Sequence, residues 1–122
     1  MKLYCDAAFW VTNKQAKLGI VVKNNKKRIY ETTIIINDIK DSVEAEFHAI
    51  YKGILALKEL GISKANILSD GKSNIAMIMG RGRIKEKYRA IVTLINELKE
   101  EMSLKFKWIP RNKNQIAHDL TK

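Results

Sequence analysis

Val43-Glu44-Ala45-Glu46-Phe47-His48-Ala49-Ile50-Tyr51-Lys52-Gly53-Ile54-Leu55-Ala56-Leu57-Lys58-Glu59-Leu60 is the stretch that decides the fold. At about 100° per residue, Val43, Phe47, Ile50, Gly53, Ile54, Leu57 and Leu60 fall on one side, with Ala49 and Ala56 at its edge. Glu44, His48, Lys52 and Glu59 lie on the other, so the segment reads as an amphipathic helix from Val43 to Leu60. Glu46 breaks the pattern by sitting in the middle of the apolar arc. An unpaired carboxylate is expensive to bury, so such a group calls for a cation, a metal or a proton. An ion pair with a lysine of a neighbouring element is the plainest answer. A metal site is the other.

Outward from the helix, three extended segments precede it: Lys2 to Trp10, Leu18 to Lys23 and Arg28 to Ile36, rich in Val, Ile, Thr and aromatics. Asn24-Asn25-Lys26-Lys27 reads as a turn between the last two, and Gly61 as the stop of the helix. After it come a short strand (Ala65 to Ser69), a short helix (Ser73 to Met79) and a longer helix (Ile84 to Glu101) beyond Gly80-Arg81-Gly82. A last strand, Leu104 to Ile109, ends at Pro110, and the tail from Asn114 to Lys122 reads as a final helix. This order predicts an α/β chain with a mixed sheet and helices packed on it.

At 122 residues and 46% hydrophobic content, a single domain over 1–122 with a real core is expected. No apolar run approaches the roughly 18 residues of a membrane span, and no secretory leader is evident, so no membrane partner is expected. The one cysteine, Cys5, excludes an internal disulfide and suits a cytoplasmic protein; in its strand it reads as a small buried hydrophobe. The net charge of +10, from 23 Lys+Arg against 13 Asp+Glu, favours a polyanionic partner such as nucleic acid.

Two further acids sit in awkward places. Asp6 lies inside the first strand, where aspartate is disfavoured. Asp70 ends the strand Asn66-Ile67-Leu68-Ser69 just before a glycine and a helix, where an N-cap is its ordinary role. With Glu46 these make three acids attached to core elements of a basic protein, a pattern suited to a divalent cation. Hard oxygen ligands select Mg²⁺ or Mn²⁺, and a lone cysteine with two distant histidines does not make a zinc site.

Four motifs in order now resemble the type I ribonuclease H family, in its compact, reverse-transcriptase-like branch. They are Tyr4-Cys5-Asp6-Ala7-Ala8-Phe9 with Gly19-Ile20-Val21-Val22, then Ala45-Glu46-Phe47-His48-Ala49-Ile50 running to Leu60-Gly61-Ile62. Ile67-Leu68-Ser69-Asp70-Gly71 follows, with Gly71 where the family usually has Ser. Trp108-Ile109-Pro110-Arg111 with Asn114-Gln115-Ile116-Ala117-His118-Asp119-Leu120 completes the set. The resemblance implies a ribonuclease H-like fold, a five-stranded mixed sheet with flanking helices, carrying a metal site built on carboxylates. It implies a metal-dependent endonuclease that cuts the RNA strand of RNA/DNA hybrids with two Mg²⁺ or Mn²⁺ ions, leaving 5′-phosphate and 3′-hydroxyl ends. Asp6, Glu46 and Asp70 match the first three ligands and Asp6 would be shared by both ions.

The fourth family acid has no clean match. Aligning Asn114, Ala117 and Leu120 puts His118 in its slot as catalytic and metal-binding residue, while the helical wheel brings Asp119 nearer the Ile116/Leu120 face. The motif alignment, with His118, is the preferred assignment. Ser42 is placed to meet a sugar hydroxyl, whereas Val43 beside it is not. Arg81, Arg83 and Lys85, with Lys72, Lys87 and Arg89, form a candidate phosphate stripe where some relatives carry a basic protrusion. Arg111 and Asn114 are expected to contact nucleic acid, Trp108 to pack in the core, and His48 to be solvated. The expected partner of the monomer is an RNA/DNA hybrid, with double-stranded RNA a second candidate. A nucleic-acid-binding module without cleavage is the alternative function.

Overall fold

The protein is described by a computed structural model covering residues 1–122. β1 (Lys2–Trp10) and β2 (Gln15–Asn24) pair antiparallel in unbroken register from Lys2↔Lys23 to Trp10↔Gln15. β2 starts at Gln15 rather than Leu18, because Ala16 turns into the core while Gln15 and Lys17 continue the ladder. β3 (Lys27–Ile36) pairs antiparallel with β2 across a tight turn that holds Asn25 at φ 56°, a left-handed conformation asparagine tolerates. β4 (Lys64–Ser69) and β5 (Ser103–Trp108) add in parallel, giving a five-stranded mixed sheet in the order β3-β2-β1-β4-β5.

α1 (Ser42–Glu59) crosses between the antiparallel and parallel halves. Asp41 caps it by accepting the Glu44 N–H at 2.8 Å, and Gly61, at φ 75°, closes its far end. Phe47, Ile50, Ile54 and Leu57 are fully buried, each contributing about 1.5–3 kcal/mol. Gly53 is needed for close approach: a Cβ there would stand 2.9 Å from Leu3 Cδ2 and 3.0 Å from Cys5 Sγ. This contact seats α1 on β1, and Glu46, two turns earlier on the same stripe, is thereby carried to the strand beside Ala7. α2 (Lys72–Ile78) and α3 (Arg89–Glu101) pack beside α1.

The short α4 (Gln115–Asp119) packs instead on β1 and β2. Its seat is Gly19, where a Cβ would collide with the Ala117 carbonyl and crowd Leu120. Leu3 and Cys5 face α1, so by strand alternation Tyr4 and Asp6 face the opposite side of the sheet. Asp6 lies directly across the ladder from Gly19 and is brought next to α4.

Three sequence expectations need correction. α3 begins at Arg89, not Ile84, because a 3₁₀ turn at Glu86–Tyr88 intervenes and the Tyr88 hydroxyl is held 2.7 Å from Asp41. The final helix is Gln115–Asp119 and not Asn114–Lys122, since Arg111–Lys113 form a 3₁₀ turn and Asn114 leaves helical geometry. Trp108 is not core: β5 is an edge strand, and the residue is 41% exposed.

Candidate active site

Each acid reaches the site by a different local logic. Asp6 projects from mid-β1 and is only 4% exposed. Glu46 accepts the Ala7 backbone N–H at 3.0 Å through Oε1, while its Oε2 is buried with no hydrogen-bond partner. Asp70 leaves the end of β4, and the N-cap role does not claim it. The cap position of α2 belongs to Gly71, which provides no side-chain bond. Ligand oxygens of Asp6, Glu46 and Asp70 all lie within 4.8 Å of one another. No lysine meets Glu46; its close ionisable neighbours are the other two acids.

Electrostatics records that crowding. Burial pushes the Glu46 carboxyl well above the ordinary glutamate range, with the neighbouring Asp6 and then the Asp70 charge adding to the rise. Burial, then the Asp6 charge, also raises Asp70, against Arg111, His118 and Asn114, which pull it down. A cation would offset this crowding. The all-oxygen donor set and the orphaned Glu46 Oε2 fit a hard divalent ion.

His118 lies on α4 with Nδ1 2.9 Å from Asp6 Oδ2, outside the three-carboxylate group. Opposite an ionised carboxylate, which only accepts, Nδ1 is the donor of this contact. Asp119 points elsewhere: it is exposed, accepts from Gln115 at 2.7 Å and pairs with Lys122 at 3.3 Å. Asn114 corrects another expectation. It is 0% exposed and its amide donates to the Cys5 carbonyl at 2.8 Å, so it braces β1 and presents nothing to a nucleic acid.

A cleft of about 500 Å³ opens over the acids, lined also by Ser42, Arg111, Trp108, Ser73 and Asn74. Gly71, in the usual Ser position, is accounted for locally, since a Cβ there would lie 2.6 Å from Asn74 Oδ1. Asn74 in turn donates to the Val43 carbonyl at 2.9 Å, locking α2 to the start of α1. Trp108 was the residue missed. Its indole N–H donates to the Asp70 carbonyl at 3.2 Å, and Lys72 sits 5.6 Å over its ring. Its position two residues before Pro110-Arg111 is visible in sequence, but its exposure depends on β5 being an edge.

Arg81, Arg83 and Lys85 are exposed and lie outside the cleft lining. Two other members of the stripe are already neutralised: Lys87 pairs with Asp41 at 2.9 Å and Arg89 with Glu86 at 2.8 Å. His48 is half-buried rather than solvated, 3.7 Å from Glu44, and burial lowers its pKa despite that neighbour.

The sequence profile of the family described as reverse transcriptase-like matches residues 4–122. No curated protein matches the sequence significantly. Among solved structures, RNase H1 from the halophilic archaeon Halobacterium salinarum NRC-1 is similar with TM-score 0.90 and 20% identity, covering 98% of this chain and 92% of that one. The N-terminal RNase H domain of Rv2228c from Mycobacterium tuberculosis gives TM-score 0.89 and 21% identity, over 98% and 88% of the two chains. LC11-RNase H1 in complex with an RNA/DNA hybrid gives TM-score 0.87 and 21% identity, over 98% and 91%.

Proposed function

This chain belongs to the reverse transcriptase-like family and has the ribonuclease H fold, and from that we propose that it hydrolyses the RNA strand of RNA/DNA hybrids, leaving 5′-phosphate and 3′-hydroxyl ends. The observation that carries the reading is the group of three carboxylates within 4.8 Å, one of them with a buried oxygen that has no partner. A hybrid bound to a neighbour of the same fold supports the substrate class.

Asp6, Glu46 and Asp70 would hold two Mg²⁺ or Mn²⁺ ions. When bound, such ions supply an activated water and neutralise charge on the leaving 3′-oxygen. The protein does the rest. Asp6, held on β1 beside β2 and α4, would be one of the carboxylates that hold the ions, and His118 orients it through the Nδ1 contact. The second ring nitrogen of His118, beside Asp6, is the group proposed to hold or move a proton. Arg111 and Lys72 offer positive charge to phosphates entering beside Asp70, and Ser42 offers a hydroxyl to a ribose 2′-OH, the group that distinguishes RNA from DNA. The proposed setting is a cytoplasmic monomer, with double-stranded RNA as a second substrate candidate.

The second reading, binding without cleavage, is favoured by one observation, the occupation of the fourth acid position by His118. Incubation with a hybrid labelled on both strands separates the two. Cleavage predicts a shortened RNA strand, an intact DNA strand and silence in EDTA. Retention of hybrid binding with both strands intact in Mg²⁺ and in Mn²⁺ would establish the binding module instead.

Arg81, Arg83 and Lys85 are proposed to track hybrid phosphates outside the cleft. Replacing all three with Gln should reduce the slope of log affinity against log salt by roughly 2 to 3. An unchanged slope would return them to ordinary solvated surface.

A further inference from the structure

The side of the sheet opposite α1 is covered only where α4 lies on β1 and β2. Beyond α4, across β1, β4 and β5, the structure has an open groove of about 620 Å³. Lys2, Lys105, Lys107 and Lys113 line it around Tyr4 and Leu68, with no acid among its lining residues. None of these four lysines is in an ion pair. The geometry points to a second nucleic-acid site, a groove for single-stranded nucleic acid separate from the carboxylate cleft.

Ordinary roles do not account for these cations. Lysines on an edge strand guard it against pairing with another sheet, which would cover Lys105 and Lys107 on β5. Lys2 is on the central strand β1, and Lys113 is in the 3₁₀ turn after β5, so neither guards an edge. Lys2 also stands directly opposite Lys23 in the β1–β2 ladder, a like-charge pairing that weakens a sheet unless an anion offsets it. Lys105 and Lys107 are two residues apart on one face, about 6.8 Å, which suits successive phosphates of a stretched strand.

Single strand is chosen over duplex because of the groove floor. Tyr4 is half-buried, in register with Leu68 and Lys107, and offers a ring where an unpaired base can stack. A duplex keeps its bases stacked on each other and has no use for such a platform. The groove also communicates with the cleft: the turn Arg111–Lys113 carries Arg111 into one and Lys113 into the other. Tyr4 lies two residues from Asp6 on the same face of β1. A strand leaving the cleft past this turn enters the groove. Binding here does not depend on hydrolysis.

The test is fluorescence anisotropy of the full chain with an oligothymidylate of about 15 nucleotides, in EDTA so that neither metal nor cleavage intervenes. Lys105→Gln/Lys107→Gln should weaken binding about tenfold and flatten the salt slope by about 1.4, at roughly 0.7 per contact on a single strand. Tyr4→Leu should weaken it at least about fivefold while Tyr4→Phe retains it. Far-ultraviolet circular dichroism checks that each variant is folded, and hybrid cleavage by the lysine double variant should stay at the wild-type rate. Three results would overturn the site: affinity and slope unchanged in the lysine variant, equal competition by inorganic phosphate, or tighter lysine-dependent binding of blunt duplex DNA.

Discussion

Asp6→Asn should abolish hybrid hydrolysis, by several orders of magnitude, while the metal-free protein becomes more stable at neutral pH. The substitution keeps the side-chain shape, and an amide oxygen can still accept from His118 Nδ1, now 2.9 Å from Asp6. What disappears is a carboxylate charge that would hold the proposed ions. The stability gain follows from Glu46. Its folded-state pKa is raised, first by burial and then by Asp6, so the native protein holds that proton to higher pH than the unfolded chain does. Stability associated with Glu46 is therefore fully present below the ordinary glutamate value of 4.5 and is lost as pH rises through the folded value. Removing the Asp6 charge weakens the second cause but leaves burial, the larger one, in place. The expected gain is roughly 1 kcal/mol at neutral pH, about 4 °C in Tm, shrinking toward zero near pH 4. Added Mg²⁺ or Mn²⁺ should raise the Tm of the wild type and leave that of the variant almost unmoved, since a ligand stabilises only the state that binds it. Wild-type turnover by the folded variant would sink the site assignment, whatever the Tm does.

The parts of this structure that were legible in sequence are those governed by local pattern. The stripe on α1, the misplaced Glu46 and the mid-strand Asp6 all register against a 3.6- or 2-residue period. What escaped was set by contacts between distant segments. The start of α3 depends on Tyr88 reaching Asp41, 47 residues away in sequence, and no propensity encodes that bond. Asn114 reads as a polar residue in a polar tail, yet its amide crosses 109 residues to the Cys5 carbonyl and is wholly buried. Trp108 alternates correctly for a buried face, and only the position of β5 at the sheet edge leaves it in the cleft. The glycines were intermediate. Gly53 was visible as part of the apolar arc, but its reason, the Leu3 and Cys5 side chains pressed against it, is tertiary.

His118→Asp should keep or raise Mg²⁺-dependent activity, and Asp119→Ala should change it little. The structure gives each expectation a cause. His118 faces Asp6 across 2.9 Å, whereas Asp119 is turned outward to Gln115 and Lys122, which hold its carboxyl below the ordinary range. A carboxylate is a better partner for Mg²⁺ than imidazole is, while Mn²⁺ accepts either. The wild type should accordingly work better with Mn²⁺, and that preference should shrink in His118→Asp. The same substitution brings a fourth acid to a site that already raises two of its three carboxyls, so the metal-free protein should lose stability. Its Tm should then rise further on adding Mg²⁺ than the wild type's does, a readout independent of turnover. If Asp119→Ala removes activity while His118→Ala is silent, the alignment of the tail is off by one residue, and α4 must rotate by about 100° on binding substrate to bring Asp119 inward. If both alanine variants are fully active, the three carboxylates suffice, and α4 serves only to cover Gly19 and hold the strand that carries Asp6.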